Sequence, residues 1–492
     1  MSLIQVSDLT FAYEGSYDNI FEHASFSFDT SWRLGFTGRN GRGKTTFLRL
    51  LCGAYPYRGT ISASVDFEYF PRTVRDPAQS TLEVLETLCG APAWRLLREL
   101  NLLELDEDAL YRPFFTLSNG EQARALLAAL FLGENRYPLI DEPTNHLDMQ
   151  GRALVSRYLQ TKRGFLLVSH DRAFLDGCVD HILSINRTSI EVCSGDFSTW
   201  WENRERQEQF ERTQNERLRQ DIRRLEAAAQ QSGRWAGRVE QSKGNAAHDA
   251  APNHRSYAAE QSRRMQQRRK NLERRRGRAI EEASQLLKNV ETAEELKLTQ
   301  AAYRRERLLS LREVSIRYGA APVCSGVSFT VEAGERVALC GPNGCGKTSL
   351  LRLILGEDVP HAGTIERGGG LTISYVPQDT SALRGSLTDF ARRAQIDETQ
   401  LKTILRKLDF SRVQLEKDLS ALSAGQRKKV LLARSLCERA HLLLWDEPMN
   451  YVDVVSRIQL ETLLLEYRPT ILFVEHDRAF CEKIATKTVP LR

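Results

Sequence analysis

The chain has 492 residues, of which 41% are hydrophobic and 27% are charged. This length is sufficient for two or three domains that each bury a core, and the composition is that of a soluble protein. No apolar run reaches the roughly 20 residues that cross a bilayer, and the first residues do not resemble a signal peptide. We therefore expect a cytoplasmic protein without a membrane span. The nine scattered cysteines form no CxxC pair, which favours reduced thiols over disulfides or zinc sites.

Positive charge is concentrated in the middle of the chain. The formal net charge is +5, but residues 201–308 hold 25 Lys and Arg against 17 Asp and Glu. The remainder of the chain is therefore slightly acidic. An asymmetry of this kind is typical of a segment that contacts nucleic acid.

The beginning and the end of the chain repeat the same five segments in the same order. The alternating first segment predicts an edge strand, and two domain-sized copies predict a tandem pair rather than an array of short repeats. In chain order, the paired segments are LIQVSDLTFAY (3–13) and LSLREVSIRY (309–318), GRNGRGKTT (38–46) and GPNGCGKTS (341–349), LSNGEQ (117–122) and LSAGQR (422–427), PLIDEPTNHLD (138–148) and LLLWDEPMNYVD (442–453), and LLVSHDRAF (166–174) and LFVEHDRAF (472–480).

The segment between the copies has a helical pattern. No Pro interrupts residues 202–231 or 260–300, and apolar residues such as Leu218, Ile222 and Leu225 recur at helical spacing. This pattern predicts two long helices packed antiparallel as a coiled-coil hairpin, with residues 232–259 as its tip. The predicted domains are therefore 1–199, 200–305 and 306–492.

Both copies contain a Gly-x4-Gly-Lys-Thr loop between a strand and a helix. Its glycines let backbone N–H groups point at phosphates, and the helix N-terminus adds favourable partial charge. The lysines are expected to neutralise the β- and γ-phosphates, and the threonines that follow them to hold magnesium. The predicted nucleotide-binding residues of the two loops are Gly38, Asn40, Gly41, Gly43, Lys44, Thr45 and Thr46, and Gly341, Asn343, Gly344, Gly346, Lys347, Thr348 and Ser349.

An Asp-Glu pair ends an apolar run in each copy, and a histidine follows another apolar run. Ligands bind at the carboxyl ends of strands in open α/β sheets, where the Asp suits magnesium and the Glu suits polarising a water. A single such histidine would more often be a strand-end hydrogen bonder, but its recurrence favours contact with the γ-phosphate. The pairs are Asp141 with Glu142 and Asp446 with Glu447, and the predicted catalytic residues are Glu142, Glu447, His170 and His476.

The phosphate loop, the LSxGx segment, the strand-end Asp-Glu pair and the histidine, in this order, resemble the ATP-binding cassette (ABC) superfamily. The resemblance implies an α/β fold with two tandem ABC-type nucleotide-binding domains joined by a long α-helical hairpin linker. It also implies that the cassettes pack head to tail, with each ATP between the phosphate loop of one cassette and the LSxGx segment of the other. Ser423 and Gly425 would then complete the first site, and Ser118 and Gly120 the second.

The same resemblance implies how adenine and metal are held, with ATP and Mg²⁺ as cofactors. Tyr13 and Tyr318 fall where such proteins stack the adenine on an aromatic ring, although a strand-end surface position would suit either Tyr nearly as well. The expected magnesium ligands are Thr45, Asp141, Thr348, Gln378 and Asp446.

Tandem cassettes, no membrane segment and a charged helical linker resemble the ABC-F subfamily over essentially the whole chain. Its members act on the ribosome, where they enter the tRNA exit site and push the hairpin toward the peptidyl-transferase centre. The resemblance implies a 70S ribosome partner, with 23S rRNA and peptidyl-tRNA, and a monomer whose cassettes pair within one chain.

Nine basic residues and one acidic residue between positions 263 and 278 fit the phosphate backbone of RNA, with a solvated helix face as the alternative. Two aromatic residues in the tip suit either stacking on rRNA bases or packing within the turn. The candidate RNA-binding residues are Trp235, Tyr257, Arg263, Arg264, Arg268, Arg269, Lys270, Arg274, Arg275 and Arg276.

The spacing of the segments favours one branch of ABC-F. Pro71 and Leu117 are 46 positions apart, and Pro377 and Leu422 are 45 apart, which leaves no room for the helical arm that some ABC-F translation factors insert in the first cassette. The chain also ends shortly after its last repeated segment, so no C-terminal extension is expected. These features resemble the antibiotic-resistance group, most closely the Lsa type, which is associated with lincosamides, streptogramins A and pleuromutilins.

The first cassette departs from the pattern of the family. It has Arg72 where the second cassette has Gln378. In the LSxGx segments, Asn119 and Ala424 stand at the position where Gly is usual. Arg72 is expected to bring positive charge to the magnesium region, so that the two sites hydrolyse ATP unequally.

The sequence thus predicts an ATPase that binds the ribosome and displaces antibiotics from the peptidyl-transferase centre. A housekeeping ABC-F factor that relieves stalled ribosomes is the first alternative. The ATPase subunit of a drug exporter is the second, and the fused tandem with its long basic hairpin argues against it.

Overall fold

The computed structural model describes residues 2–14, 19–133, 135–145, 147–185, 190–207, 301, 303–318 and 321–491, with a few isolated positions from 209 to 223. Residues Met1–Trp200 and Ala293–Arg492 form one compact unit, and Trp201–Thr292 form a second. The elements below belong to the first unit. The predicted hairpin tip and all ten candidate RNA-binding residues lie outside the described residues, so both remain predictions.

The first copy of the repeat contains nine described strands and seven described α-helices. Its strands are β1 Leu3–Phe11, β2 Phe21–Asp29, β3 Arg33–Gly38, β4 Arg58–Ser62, β5 Asp66–Phe70, β6 Arg136–Asp141, β7 Phe165–Val168, β8 His181–Ile185 and β9 Ile190–Ser194. Its helices are α1 Lys44–Leu51, α2 Thr81–Cys89, α3 Ala93–Leu102, α4 Glu107–Tyr111, α5 Asn119–Leu130, α6 Met149–Gln160 and α7 Arg172–Cys178, with a 3-10 turn at Phe114–Thr116.

The second copy has eight described strands and seven described α-helices in the same order. Its strands are β10 Arg307–Tyr318, β11 Ala321–Glu332, β12 Arg336–Cys340, β13 His361–Arg367, β14 Ile373–Val376, β15 Leu442–Asp446, β16 Ile471–Val474 and β17 Lys487–Pro490. Its helices are α8 Lys347–Leu355, α9 Leu387–Arg393, α10 Glu398–Lys407, α11 Arg412–Glu416, α12 Ala424–Cys437, α13 Val454–Tyr467 and α14 Arg478–Ile484, with a 3-10 turn at Leu419–Ala421.

Each copy is built on a mostly parallel sheet. The strand order is β5-β6-β7-β3-β8-β9 in the first copy, where only β9 runs antiparallel, and β14-β15-β16-β12-β17 in the second. Strands such as β7 (FLLV) and β15 (LLLWD) are buried along their whole length. Continuous apolar runs of this kind form parallel strands because helices cover both faces of the sheet.

A smaller antiparallel sheet completes each copy, in the orders β2-β1-β4 and β11-β10-β13. In β1 the buried residues Ile4, Val6, Leu9 and Phe11 join the core beneath α1. The predicted edge strands β1 and β10 are in fact central strands of these small sheets. Alternation of apolar residues predicted their strand character but not their place in the sheet.

The parallel sheets bring the repeated segments to one edge. In the first copy β6, β7 and β3 are neighbours, and their carboxyl ends lead into the Asp-Glu pair, the histidine and the phosphate loop, respectively. In the second copy β15, β16 and β12 do the same. This edge is where open α/β sheets bind ligands. Among the described residues, none of the helices has the length and apolar character needed to cross a membrane.

Candidate functional site

The phosphate loops have the same conformation in both copies. Gly43 and Gly346 are the N-caps of α1 and α8 and lie in the left-handed region, with φ of 89° and 87°. A Cβ atom at Gly43 would meet Ile20 Cγ2 at 2.4 Å. Only glycine satisfies both the backbone angle and the close contact, which explains its place directly before the lysine.

The lysine that follows each glycine folds back over its own loop. Lys44 Nζ donates hydrogen bonds to the carbonyl oxygens of Gly38 at 2.6 Å and Arg39 at 3.2 Å. Lys347 Nζ donates to Gly341 at 2.8 Å and Pro342 at 2.7 Å. Burial lowers the pKa of Lys44, while the carboxylates of Asp453, Glu142 and Asp141 oppose that shift. Each ammonium group is therefore held where the loop would cradle a phosphate.

Two hydroxyl groups hold the carboxylate of Asp141 at the end of β6. Thr45 Oγ1 donates to Asp141 Oδ2 at 2.8 Å, and Tyr69 Oη donates to the same oxygen at 2.9 Å. In the second copy, burial raises the pKa of Asp446 to about 6. Both carboxylate oxygens of Asp446 are buried and lack hydrogen-bond partners within the described part of the chain.

A hydroxyl and a carboxylate at a phosphate loop form the donor set that Mg²⁺ prefers when it also binds phosphate oxygens. The buried and unsatisfied oxygens of Asp446 fit a cation at the second site. The residues present therefore fit the predicted magnesium ions. Thr45 and Asp141 would hold one, and Thr348, Gln378 and Asp446 the other.

The predicted catalytic glutamates lie in different surroundings. Glu142 Oε1 is 3.3 Å from His170 Nε2, and Glu447 Oε1 is 3.5 Å from His476 Nε2. Glu447 also accepts a hydrogen bond from Gln378 Nε2 at 2.8 Å. The second carboxylate is thus oriented by an amide group, which is suited to a general base that must be aligned with a water.

Burial and nearby charges act oppositely on the two glutamates. Burial and the charge of Asp141 raise the pKa of Glu142 to about 8. Burial alone would raise the pKa of Glu447, but contact with His476 and Gln378 more than offsets it and leaves the pKa below its ordinary value. Burial and the charge of Lys44 lower the pKa of His170 well below its ordinary value, which keeps its imidazole neutral.

Arg72 does not enter the magnesium region, so that expectation from the sequence is wrong. Its guanidinium lies 3.0 Å from the buried carboxylate of Glu68 and donates to the carbonyl of Leu88 at 2.7 Å. Glu68 and Tyr69 are adjacent on β5 and therefore point to opposite faces of the sheet. Since Tyr69 is the residue that contacts Asp141, Arg72 is held on the face away from the site. A positive charge from Arg72 in the magnesium region therefore cannot make the two sites hydrolyse ATP unequally.

Each site contains residues of both copies, as head-to-tail packing implies. The first lies around a cavity of about 380 Å³ and the second around a cavity of about 1230 Å³. Predicted residues lining the first cavity are Tyr13, Asn40, Gly41, Gly43, Lys44, Thr45, Thr46, Asp141, Glu142, His170, Ser423 and Gly425. Those lining the second are Ser118, Gly120, Asn343, Gly344, Gly346, Lys347, Thr348, Ser349, Gln378, Glu447 and His476. Gly38, Tyr318, Gly341 and Asp446 are not among the lining residues of either cavity.

The serines of the LSxGx segments are also helix N-caps. Ser118 Oγ accepts from the backbone N–H of Glu121, and Ser423 Oγ accepts from that of Gln426. Each cap forms a reciprocal capping box, which fixes the start of α5 or α12. The helix N-termini, with their positive partial charge, thus face the cavities that contain the opposite phosphate loops. Asn119 faces the second cavity, as expected.

The sequence analysis missed Tyr451, which lines both cavities. Its carbonyl oxygen accepts a hydrogen bond of 2.6 Å from Asn40 Nδ2 of the first phosphate loop. Its φ of 62° places it in the left-handed region. A non-glycine residue in that conformation, four positions after Glu447, often marks a functional position, but the angle is visible only in the structure.

The two candidate adenine-stacking tyrosines contact the first turn of the helix after each loop. Tyr13 Oη lies 2.9 Å from Thr46 Oγ1, and Tyr318 Oη donates to Ser349 Oγ at 3.2 Å. The two residues remain 40% and 51% exposed, respectively, so each ring has a free surface. This position suits an aromatic platform beside the phosphate loop.

We predict that Tyr13→Ala weakens ATP binding at the first site about tenfold, because stacking of a base on an aromatic ring is worth roughly 1–3 kcal/mol. Tyr13→Phe keeps the ring and loses only the contact with Thr46, so its effect should stay within about threefold. Calorimetric titration of ATP into the protein measures both variants. Unchanged affinity in Tyr13→Ala would identify Tyr13 as a surface residue at the end of the strand.

Comparison with known proteins supports the architecture. The sequence profile of the ABC transporter family matches residues 21–145 and 324–450, which together make up just over half of the chain. A chain from the complex of archaeal ribosomal stalk protein aP1 with archaeal ribosome recycling factor aABCE1 has a TM-score of 0.64 at 20% identity, over 98% of this chain and 87% of that chain. At this identity the likeness shows the fold alone. The predicted α/β fold with two tandem cassettes is confirmed.

Curated relatives match almost the whole chain. The ribosome protection protein VmlR of Bacillus subtilis is 29% identical over 477 residues, which cover 96% of this chain and 84% of VmlR. The energy-dependent translational throttle protein EttA of Escherichia coli is 28% identical over 522 residues, which cover 95% of this chain and 88% of EttA. The similarity therefore spans both copies and the segment between them.

Proposed function

This chain belongs to the ABC transporter family and is an ATPase, and from that premise we propose that it is a cytoplasmic ABC-F protein that protects the ribosome from antibiotics. The observation that carries the proposal is the similarity to VmlR, a ribosome protection protein, over 96% of the chain. The throttle protein EttA, similar over 95% of the chain, also supports a role in translation. The basic excess of residues 201–308 supports an RNA partner independently.

In the proposed cycle, ATP draws the two cassettes together. The phosphates bind Lys44 and the N-terminus of α12 at the first site, and Lys347 and the N-terminus of α5 at the second. When bound, magnesium supplies positive charge that neutralises the phosphate oxygens. Because each ATP contacts both cassettes, ATP favours the closed arrangement over the open one by its difference in affinity.

Hydrolysis of ATP then lets the two cassettes separate again. Glu447 accepts a proton from the attacking water, and Gln378 holds its carboxylate in place. The imidazoles of His170 and His476 lie beside the glutamates and suit contact with the γ-phosphate. Loss of the γ-phosphate removes the link between the cassettes, and the protein leaves the ribosome. No substrate other than ATP is transformed.

On the ribosome, we infer that the closed form of the monomer enters the tRNA exit site of the 70S particle. The segment between the cassettes then contacts 23S rRNA and peptidyl-tRNA, and a drug bound at the peptidyl-transferase centre is displaced. Lincosamides, streptogramins A and pleuromutilins are the proposed drug classes, through the likeness to the Lsa type. The span 71–117 contains only the short helices α2, α3 and α4 and the 3-10 turn, which agrees with an arm-less member.

A housekeeping role is the alternative that the similarity to EttA favours. Both roles require ATP-dependent ribosome binding, so binding alone does not separate them. Drug susceptibility of cells with and without the protein does, because a housekeeping factor would leave the inhibitory drug concentrations unchanged.

The first test uses a variant that binds ATP but does not hydrolyse it. We expect Glu142→Gln combined with Glu447→Gln to trap the closed form, because each change removes a water-polarising carboxylate and keeps the shape of the side chain. This protein should pellet with 70S ribosomes in ATP and remain in the supernatant in ADP. The matched control adds Lys44→Ala and Lys347→Ala, which removes the phosphate contacts and should abolish pelleting in ATP.

Two results would count against the proposal. If the trapped variant binds ATP by calorimetry and still fails to pellet, the ribosome is not the partner. If it pellets and no drug of the three classes is tolerated better by cells that carry the wild-type protein, the protective role fails and the housekeeping role remains.

A further inference from the structure

The first phosphate loop is joined to the second cassette by ion pairs. Arg39 Nη1 lies 3.2 Å from Asp409 Oδ1, and Arg42 Nη2 lies 3.6 Å from Asp409 Oδ2. The side chains of Arg39 and Asp409 are only 12% and 17% exposed. One carboxylate thus binds two guanidinium groups across the seam between the cassettes.

The counterparts of these residues at the second site cannot form the same pairs. In the repeat, Pro342 occupies the position of Arg39, and Cys345 occupies that of Arg42. The acidic side is retained, because Glu104 corresponds to Asp409 and shares its left-handed backbone, with φ of 49° against 70°. Glu104 lies 3.9 Å from Arg157 of its own cassette. The second phosphate loop therefore offers no cation at either position.

A second ion pair across the seam has the same one-sided distribution. Arg172, two residues after the first histidine, pairs with the buried carboxylate of Glu461 in α13. The counterpart of Arg172 is Arg478, which instead pairs with Glu482 of its own helix at 2.7 Å. The counterpart of Glu461 is Ser156, which carries no charge.

The site with the ion pairs also has the smaller cavity. The cavity at the first site, whose phosphate loop carries Arg39 and Arg42, has a volume of about 380 Å³, and the cavity at the second site about 1230 Å³. A carboxylate with two guanidinium partners and little exposure is screened far less by salt than a surface pair. We propose that Asp409 is a positioning residue that keeps the first ATP site assembled, so that the cassettes part mainly at the second site.

This inference rests on the proposed assignment of the two ATP sites and gives them different tasks. Nucleotide at the first site stays enclosed because the seam above it does not open with each cycle. Nucleotide at the second site exchanges whenever the clamp opens. The first site then stays closed and acts as the hinge between the cassettes, and the second site opens and closes with the exchange of ATP.

Release of a fluorescent ATP analogue measures this difference directly. The full-length Glu142→Gln/Glu447→Gln protein is loaded with N-methylanthraniloyl-ATP and Mg²⁺ and chased with excess ATP. We expect two phases of similar amplitude, the slow one from the first site. Asp409→Asn removes the charge, and Asn tolerates the left-handed backbone. It should accelerate the slow phase at least about tenfold, which corresponds to about 1.4 kcal/mol of lost coupling.

Matched variants separate the ion pair from a general loss of structure. Glu104→Gln is the same change at the counterpart position and should leave the slow phase unaltered. Asp409→Glu retains the carboxylate and should restore slow release. Hydrogen exchange assigns the phases, because Asp409→Asn should expose the backbone at 423–430 and not at 118–125.

The outcomes distinguish a failure of the proposed role of Asp409 from a failure of the assignment of the two ATP sites. If release is monophasic in the parent protein, or if Asp409→Asn and Glu104→Gln change it equally, the hinge role of Asp409 is overturned while the ATP sites stand. If the parent protein does not bind the analogue, or Lys44→Ala and Lys347→Ala leave its binding intact, the assignment of the sites fails first.

Discussion

Replacing Glu447 by Gln is expected to lower steady-state ATP hydrolysis about 100-fold, whereas Glu142→Gln should leave at least about half of it. The reason is geometric. Gln378 donates to the Glu447 carboxylate at 2.8 Å, and the side-chain amide of Asn450 contacts the same oxygen. The second glutamate is thus held by two amides, which is what alignment of a water requires.

Within the described part of the chain, no side-chain amide is hydrogen-bonded to the carboxylate of Glu142. The position of Gln378 is taken by Arg72, whose side chain is bound to Glu68 on the other face of the sheet. Glu142 is therefore oriented through His170 at 3.3 Å without an amide partner from that position. A base that is not aligned contributes less to the rate, so most turnover should come from the second site.

Phosphate release at saturating Mg-ATP measures both variants, and calorimetry confirms that each still binds ATP. The double variant sets the residual rate without either glutamate. Equal losses in the two single variants would contradict the argument, because they would show that both sites turn over alike. A larger loss of ATP hydrolysis in Glu142→Gln than in Glu447→Gln would show that the first site carries most of the turnover.

Features encoded by neighbouring residues could be predicted from the sequence. The phosphate loops, the strands before them and the helices after them lie within short segments, so the pattern Gly-x4-Gly-Lys-Thr was enough to place Lys44 and Lys347. The Asp-Glu pairs were placed correctly at strand ends because β6 and β15 are continuous apolar runs. The composite sites, in contrast, were implied only by the resemblance to the ABC superfamily.

Features that depend on distant residues could not be predicted. Arg72 is directed by Glu68, only four positions away, but the burial of Glu68 depends on the pairing of β5 with β6, which also places Arg136 at 2.7 Å from it. The partner of Arg39 is 370 positions further along the chain, at Asp409. The difference in charge between GRNGRGKT and GPNGCGKT was visible in the sequence. Its consequence could be recognised only when the structure showed that Asp409 of the other cassette faces the first of these loops.

The second large effect is expected at the start of α12. A Cβ atom on Gly425 would lie 2.2 Å from the carbonyl oxygen of Tyr451 and 2.7 Å from Asn40 Nδ2. These two groups are hydrogen-bonded to each other at 2.6 Å across the seam, so neither can move without loss of that bond. Gly425→Ala should therefore push the helix start away from the first phosphate loop.

We expect Gly425→Ala to weaken ATP binding at the first site about 30-fold, since overpacking of this kind costs about 2 kcal/mol. Calorimetric titration of the Glu142→Gln/Glu447→Gln protein should then show one tight site per chain instead of two. Gly369→Ala is the matched control, because a Cβ atom there meets no heavy atom within 4 Å. Two tight sites in Gly425→Ala would mean that Tyr451 and Asn40 yield easily, and that the ion pairs of Asp409 are sufficient to hold the first site without this contact.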